Sequence, residues 1–393
     1  MTRALYAMLA AEAKKLAQAG LHKTETVHAI DRKTAALVAA KIDFTGQDYL
    51  GLARDERVHA AARAALDESG LGAGSPRAFT GTRAVHKQLE QTLARFLALP
   101  DAVVFGSGYL ANVGLYEAVF DSRDHLFCDA LVHPSTAEGI RLSSAIAFPF
   151  HNNDVEDLED KLRRSRSARF RAIATDGVFP FDGRVAELDG ICGLAEKYDA
   201  MVVVDDSLGI GAVGNTGRGA RELRGMLHRV DVVTGTFSKA LGGAGGGFIA
   251  GRREIIHWLR QKATPYLFSV ALAPPLAAAA LTALDLLERG EAPHPELRNN
   301  IATVKRELEL RGFQVLGGEH PTLIVIIGGV VPLQKMVNSL YERGVHVQGL
   351  CYPVVPEGQA RIRLEITARH SAADLGRALN AFDLAGRALG IIG

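Results

Sequence analysis

The chain is predicted to be an α/β protein: a mostly parallel sheet covered by helices on both faces, followed by a smaller C-terminal α+β domain. Three observations predict this. Six short runs rich in Val, Ile, Phe or Ala follow one another between residues 102 and 251: AVVFGSG, HLFCDALV, FRAIATDGVF, AMVVVDD, DVVTGTFS and GGGFIAG. Segments of helical periodicity lie between most of the runs and ahead of them, as in 53–69, 87–97 and 155–166. Such alternation favours parallel strands joined by helical crossovers. After residue 287 the texture changes. The linker ERGEAPHP leads to a helix, then to TLIVIIGG, VHVQGL and ARIRLEIT separated by helices, and to a last helix from Ser371. The expected division is an N-terminal helix and arm (1–45), a large domain (46–287) and a small domain (288–393).

At the N-terminus, an amphipathic helix is expected to run to about Gly20, followed by a polar β-like segment over Glu25–Ile42 and the turn-rich DFTGQDYLGL. Apolar positions recur at helical spacing among Glu12, Lys14 and Lys15, which argues against a targeting peptide. The alanine-rich stretch from Ser269 to Leu287 contains two prolines and an aspartate, so a buried helix is expected there, not a membrane span. A net charge of +1 argues against nucleic acid or an anionic membrane as partner. Cys128, Cys192 and Cys351 are scattered and odd in number, which suits reduced core residues in a cytoplasmic protein, with neither a disulfide framework nor a metal site.

The chemistry centres on Lys239, in TFSKALGGAGGG. A lysine suits a buried, glycine-lined turn poorly unless its amine has a task. Asp205 ends the apolar strand AMVVVD upstream. An acid ending one strand and Ser-Lys ending the next is what pyridoxal 5'-phosphate (PLP) requires: the lysine holds the aldehyde as a Schiff base, and the acid keeps the pyridine nitrogen protonated. An acid at a strand end also commonly just caps the next helix; Lys239 tips the reading toward the cofactor.

Other polar residues also follow apolar strands, where an open α/β sheet places its ligand crevice. GSGYLAN carries Ser107, Gly108 and Tyr109 at a glycine-rich helix start, suited to phosphate but more often found as a structural turn. Thr236 and Ser238 supply hydroxyls beside the lysine. His133 is either a flat ring to stack on a pyridine or a satisfied polar residue. Arg361 and Arg363 alternate along one strand face, so that one of them clamps a substrate carboxylate or both are solvated.

With those residues in view, the chain resembles the α-oxoamine synthases, fold-type I PLP enzymes that condense an amino acid with an acyl-CoA thioester. The resemblance spans nearly the whole length: DYLGL, GAGSPRAFTGTRAVHKQLE, VHPSTAEGIRL, DGVFPFDG, VVVDDS, TGTFSKALGGAGG and PYLFS. PYLFSVALAP and CYPVVPEGQARIR look most like the branch that joins glycine to acetyl-CoA. The resemblance implies Lys239 as the Schiff-base lysine, Asp205 as partner of the ring nitrogen, His133 stacked on the ring and Arg363 on the carboxylate. It further implies Tyr109 and its neighbours on the phosphate, with Thr236 and, across a homodimer interface, Ser269.

Three positions depart from the family pattern. Leu208 stands where a histidine near the cofactor's 3-hydroxyl is usual, and Pro180 where a serine near the same oxygen is usual. Gln47 replaces an asparagine that helps place the substrate. Losing two donors at one oxygen is expected to raise the imine's pKa and to alter rate, substrate or outcome. The expected reaction joins a small amino acid, glycine by default, to an acyl-CoA, giving an α-amino-β-keto acid or, after decarboxylation, an aminoketone. The alternative keeps PLP but makes or breaks a carbon–carbon bond with a non-thioester electrophile.

Overall fold

The computed structural model describes residues 2–18, 41–165, 167–352 and 354–393. It forms two compact units, residues 1–41 and 42–393. In the first, Thr2–Gln18 is a helix whose apolar Leu5, Tyr6, Met8, Leu9 and Leu16 are exposed. Most of the β-like stretch expected over Glu25–Ile42 lies outside the described residues.

The second unit opens with β1 (Ile42–Asp43), and then builds the main sheet from β2 (Asp101–Phe105), β3 (His125–Asp129), β4 (Ile146–Phe150), β5 (Arg171–Asp176), β6 (Ala200–Asp205), β7 (Val232–Thr236) and β8 (Gly247–Gly251). Their spatial order is β2-β8-β7-β6-β5-β3-β4. All pairs are parallel except those of β8 with β2 and β7. All six runs noted in the sequence contain strands. The one overlooked, β4, is an edge strand carrying Pro149 and mostly exposed or half-buried side chains, so it lacks an apolar signature.

Both faces of the sheet are covered, which explains the unbroken valine runs. Val202 and Val204 join the core on one face with Ile191 and Cys192 of the helix Leu188–Tyr198. Val203 points to the other face, with Leu115 of the helix Gly108–Val119 and Leu259 of the helix Arg253–Lys262. Of the three cysteines only Cys192 is fully buried; Cys128 and Cys351 are half-buried. The alanine-rich stretch forms the helix Pro274–Glu288, with prolines at its first turn where no N–H is needed.

The remaining strands are β9 (Val315–Gly317), β10 (Thr322–Gly328), β11 (Val345–His346), β12 (Gln348–Leu350) and β13 (Ala360–Glu365). A four-stranded sheet runs β12-β13-β10-β9, while β11 pairs with β1. The helix Val330–Glu342 separates β10 from β11, but no helix separates β12 from β13 among the described residues, contrary to expectation. The intervening CYPVVPEGQ holds two prolines and a glycine, which do not sustain a helix.

Asp206, next to Asp205, is buried on the opposite side of its strand end and is crowded by glycines. A Cβ on Gly209 would fall 2.0 Å from Asp206 Oδ1, and one on Gly177 2.3 Å from it. Gly209→Ala is therefore expected to destabilise the fold by roughly 1–3 kcal/mol through overpacking. Gly193→Ala, on an exposed helical face with nothing within 4 Å, is expected to stabilise it by up to about 1 kcal/mol. Urea unfolding of both variants checks the contrast; equal midpoints would remove the packing argument.

Candidate active site

The strand ends of the main sheet open into a cavity of about 290 Å³. Ser107, Gly108, Tyr109, His133, Asp176, Asp205, Thr236, Ser238 and Lys239 all line it. Parallel register brings them together: Asp176 of β5 lies opposite Asp205 of β6, and Asp205 lies opposite Thr234 of β7. Two residues further along, β7 ends and the turn carrying Lys239 begins.

Asp205 is 7% exposed, so its carboxylate depends on protein donors. Asn112 Nδ2 donates to Oδ2 at 2.6 Å, and the Ser207 N–H donates to Oδ1 at 3.0 Å. The same Asn112 amide donates to Ser135 Oγ at 2.8 Å, and that hydroxyl is 2.6 Å from His133 Nδ1. A chain of polar contacts thus links the acid to the histidine. Asn112 and Ser135 were not singled out in the sequence; an Asn one helical turn inside GSGYLAN was the available signal.

His133 is a satisfied polar residue that also lines the cavity. It caps the helix Pro134–Ser143, its Nδ1 accepting from the Ser135 N–H, so the neutral ring carries its proton on Nε2. Its backbone N–H is shared between both oxygens of Asp176, at 3.2 and 3.1 Å. Burial, and then the nearby Asp205 charge, pushes the Asp176 carboxyl well above the ordinary range. Burial also lowers His133, although Asp205 pulls the other way.

Lys239 is half-buried, and its amine makes no hydrogen bond or ion pair among the described residues. Burial holds it below the ordinary lysine range, against the pull of Asp205 and Asp176. An unpartnered amine biased toward its neutral form is the species that adds to a carbonyl. Opposite, the helix Gly108–Val119 presents its N-terminus, capped by Ser107 Oγ. A Cβ on Gly108 would sit 3.1 Å from Thr236 Cβ, so a side chain there would crowd the cradle. Thr236 Oγ1 and Ser238 Oγ lie 2.8 Å apart. Amine, acid, flat ring and helix terminus in one cavity fit PLP.

The residues expected around the substrate are placed differently. Gln47 and Arg363 line an adjoining open recess that meets the cavity at Ser238, which borders both. Ser269 lines neither; it lies between the exposed Phe268 and Val270. Arg361, half of the alternating pair, is taken up by Gln359 through the backbone and side-chain oxygens. Leu208, Pro180 and Val178 all line the cavity. His320 lies behind that wall with Nε2 3.1 Å from the Leu208 carbonyl, and burial pushes its pKa down to about 3, so it supplies no charge there.

Residues 39–382 match the family described as Aminotransferase class I and II. The chain belongs to this family and, within it, to the PLP-dependent α-oxoamine synthases. It is 44% identical over 353 residues to 2-amino-3-ketobutyrate coenzyme A ligase of Escherichia coli (strain K12), covering 89% of each chain. It is 40% identical to 8-amino-7-oxononanoate synthase of Thermosipho melanesiensis, covering 89% of this chain and 90% of that one. The serine palmitoyltransferase structure from S. paucimobilis, with PLP and myriocin bound, superposes with a TM-score of 0.89 at 28% identity and 99% coverage of both chains. No helix among the described residues is long and apolar enough to cross a membrane.

Asn112→Ala would leave Asp205 without its shortest hydrogen bond. A charged bond of this kind is worth about 1.5–3 kcal/mol, so kcat is expected to fall roughly 10- to 100-fold with unchanged far-UV circular dichroism. A fall below threefold would show that Asp205 is held without Asn112.

Proposed function

We propose that this protein joins a small amino acid, glycine by default, to an acyl-CoA thioester, releasing CoA and an α-amino-β-keto acid or its decarboxylated aminoketone. The observation that carries this reading is the unpartnered Lys239 amine opening into the same cavity as the buried Asp205. Similarity to a ligase named for 2-amino-3-ketobutyrate and coenzyme A supports the substrate pair.

Bound PLP supplies a carbonyl for the substrate amine and an electron sink for charge at the adjoining carbon. The chain's own residues do the rest. Lys239 holds the cofactor and, once displaced by the substrate amine, moves the proton at the substrate's α-carbon. Asp205, fixed by Asn112 and Ser207, keeps a proton on the ring nitrogen. His133 packs against the ring, while Ser107, Gly108, Tyr109 and Thr236 hold the phosphate. Arg363 binds the substrate carboxylate and Gln47 lies beside it, orienting the reacting carbon.

The protein acts as a cytoplasmic homodimer in this reading. Phe79, Tyr109, Phe268 and Val270 are each about half or more exposed, an apolar surface that a second copy would cover. Ser269, between two of them, then completes the phosphate site of the other protomer. The apolar wall of Val178, Pro180 and Leu208 favours a second reading, the same cofactor with a non-thioester electrophile.

A matrix of small amino acids against acyl-CoAs, followed by free-thiol release and product mass, separates the two readings. Glycine-dependent thiol release is expected, and Lys239→Ala is expected to lower it at least about 10³-fold. Carbon–carbon bond formation without thiol release would move the assignment to the second reading. Sedimentation is expected to give a dimer, and Phe268→Asp is expected to yield an inactive monomer. A fully active monomer would exclude shared sites.

A further inference from the structure

Arg363 and Glu365 lie two residues apart on β13, so their side chains share one face. Glu365 is 1% exposed, yet four donors reach its carboxylate. Arg363 Nη2 is 2.9 Å and Gln47 Nε2 3.4 Å from Oε1, while Thr322 Oγ1 is 2.8 Å and the Tyr49 hydroxyl 3.3 Å from Oε2. Arg363 Nη1 donates to the Pro180 carbonyl at 3.1 Å, and its Nε has no partner. The guanidinium that borders the open recess is therefore already latched to an internal carboxylate.

Lys239 lies within electrostatic reach of the pair, attracted by Glu365 and repelled by Arg363. Burial pushes the Tyr49 phenol well above its ordinary range, so it is neutral, and His320 is neutral as well. Burial raises Glu365, with Arg363, Thr322, Gln47 and Tyr49 all opposing that shift. With Glu365 ionised the pair carries no net charge, and a carboxylate arriving at Arg363 meets a cation whose field is largely offset from behind.

We propose that Glu365 is a positioning residue for Arg363, fixing its guanidinium and offsetting its charge so as to set how weakly the site holds the amino-acid carboxylate. This inference rests on the reading of Arg363 as the carboxylate clamp. A binding site tuned in this way releases a carboxylate-bearing product and works at high amino-acid concentration, whereas an uncompensated arginine would hold both tightly.

Glu365→Gln is nearly isosteric and leaves an oxygen for Arg363, while the hydroxyls of Thr322 and Tyr49 can turn to accept. Calorimetric titration of the holoenzyme with glycine and with acetate reads binding apart from turnover. Glu365→Gln is expected to bind each roughly 10-fold more tightly, with the glycine KM falling in step and the acyl-CoA KM unmoved. Thr322→Val, which removes one donor and makes the ionised acid harder to keep, is expected to shift glycine binding the same way by about 2- to 3-fold. Carboxylate affinity unchanged or weakened in both variants, against a wild-type protein that binds both ligands, overturns the role of Glu365. A wild-type holoenzyme that binds neither ligand overturns the functional reading, and this inference with it.

Discussion

The parallel register of β5, β6 and β7 is the constraint on which the site depends. It sets Asp176 beside Asp205 and Asp205 beside the end of the strand that runs into Lys239. Because side chains alternate along a strand, a slip of one residue would turn Asp205 to the opposite face. The neighbouring acids at 205 and 206 show what that alternation does. Asp205 follows Val203 toward the helix Gly108–Val119 and meets Asn112 there. Asp206 falls on the other side, among Gly177, Gly209 and Gly219, where burial lifts its pKa to about 7 and the Ala220 N–H bonds its Oδ2. Two identical residues in sequence thus have one chemical and one architectural environment.

The cavity concentrates groups that would each be costly to bury alone. An amine without a partner and two buried carboxyls around one cavity are tolerable because the charges oppose one another and the protein supplies donors. Asp205 has two donors, and Asp176 takes the His133 N–H. Burial biases Lys239 toward its neutral form and Asp176 toward its protonated form. The polar chain from Asp205 through Asn112 and Ser135 to His133 ties the acid's position to the ring's, across two helices and a strand end. Such a network holds geometry because displacing any member leaves another unsatisfied.

The four-stranded sheet contributes through Arg363. Its guanidinium reaches across to the carbonyl of Pro180, whose segment lines the cavity. The same arginine is anchored from behind by Glu365, which in turn gathers Thr322 of β10 and Tyr49 and Gln47 of the segment after β1. Residues separated by more than 300 positions therefore control one charge.

Much of this was legible before any coordinates. The alternating apolar runs announced the sheet, and local motifs announced Lys239, Asp205, His133 and the helix start at Gly108, because strand ends and glycine turns are short-range signals. β4 was not legible, since an edge strand with a proline carries no buried pattern, and the loop after β12 was misread as helical spacing. That His133 caps a helix while also lining the cavity came only from the fold. Asn112, Ser135, Glu365 and the recess around Arg363 were out of reach for a different reason. Their roles come from side chains meeting across long sequence separations, and the distances between chain-distant atoms are set by packing, which no local pattern encodes. The sequence by itself determined most of the elements, the cofactor chemistry and the residues at the strand ends. Only the tertiary structure decided which donors hold each acid, and which acid holds the arginine.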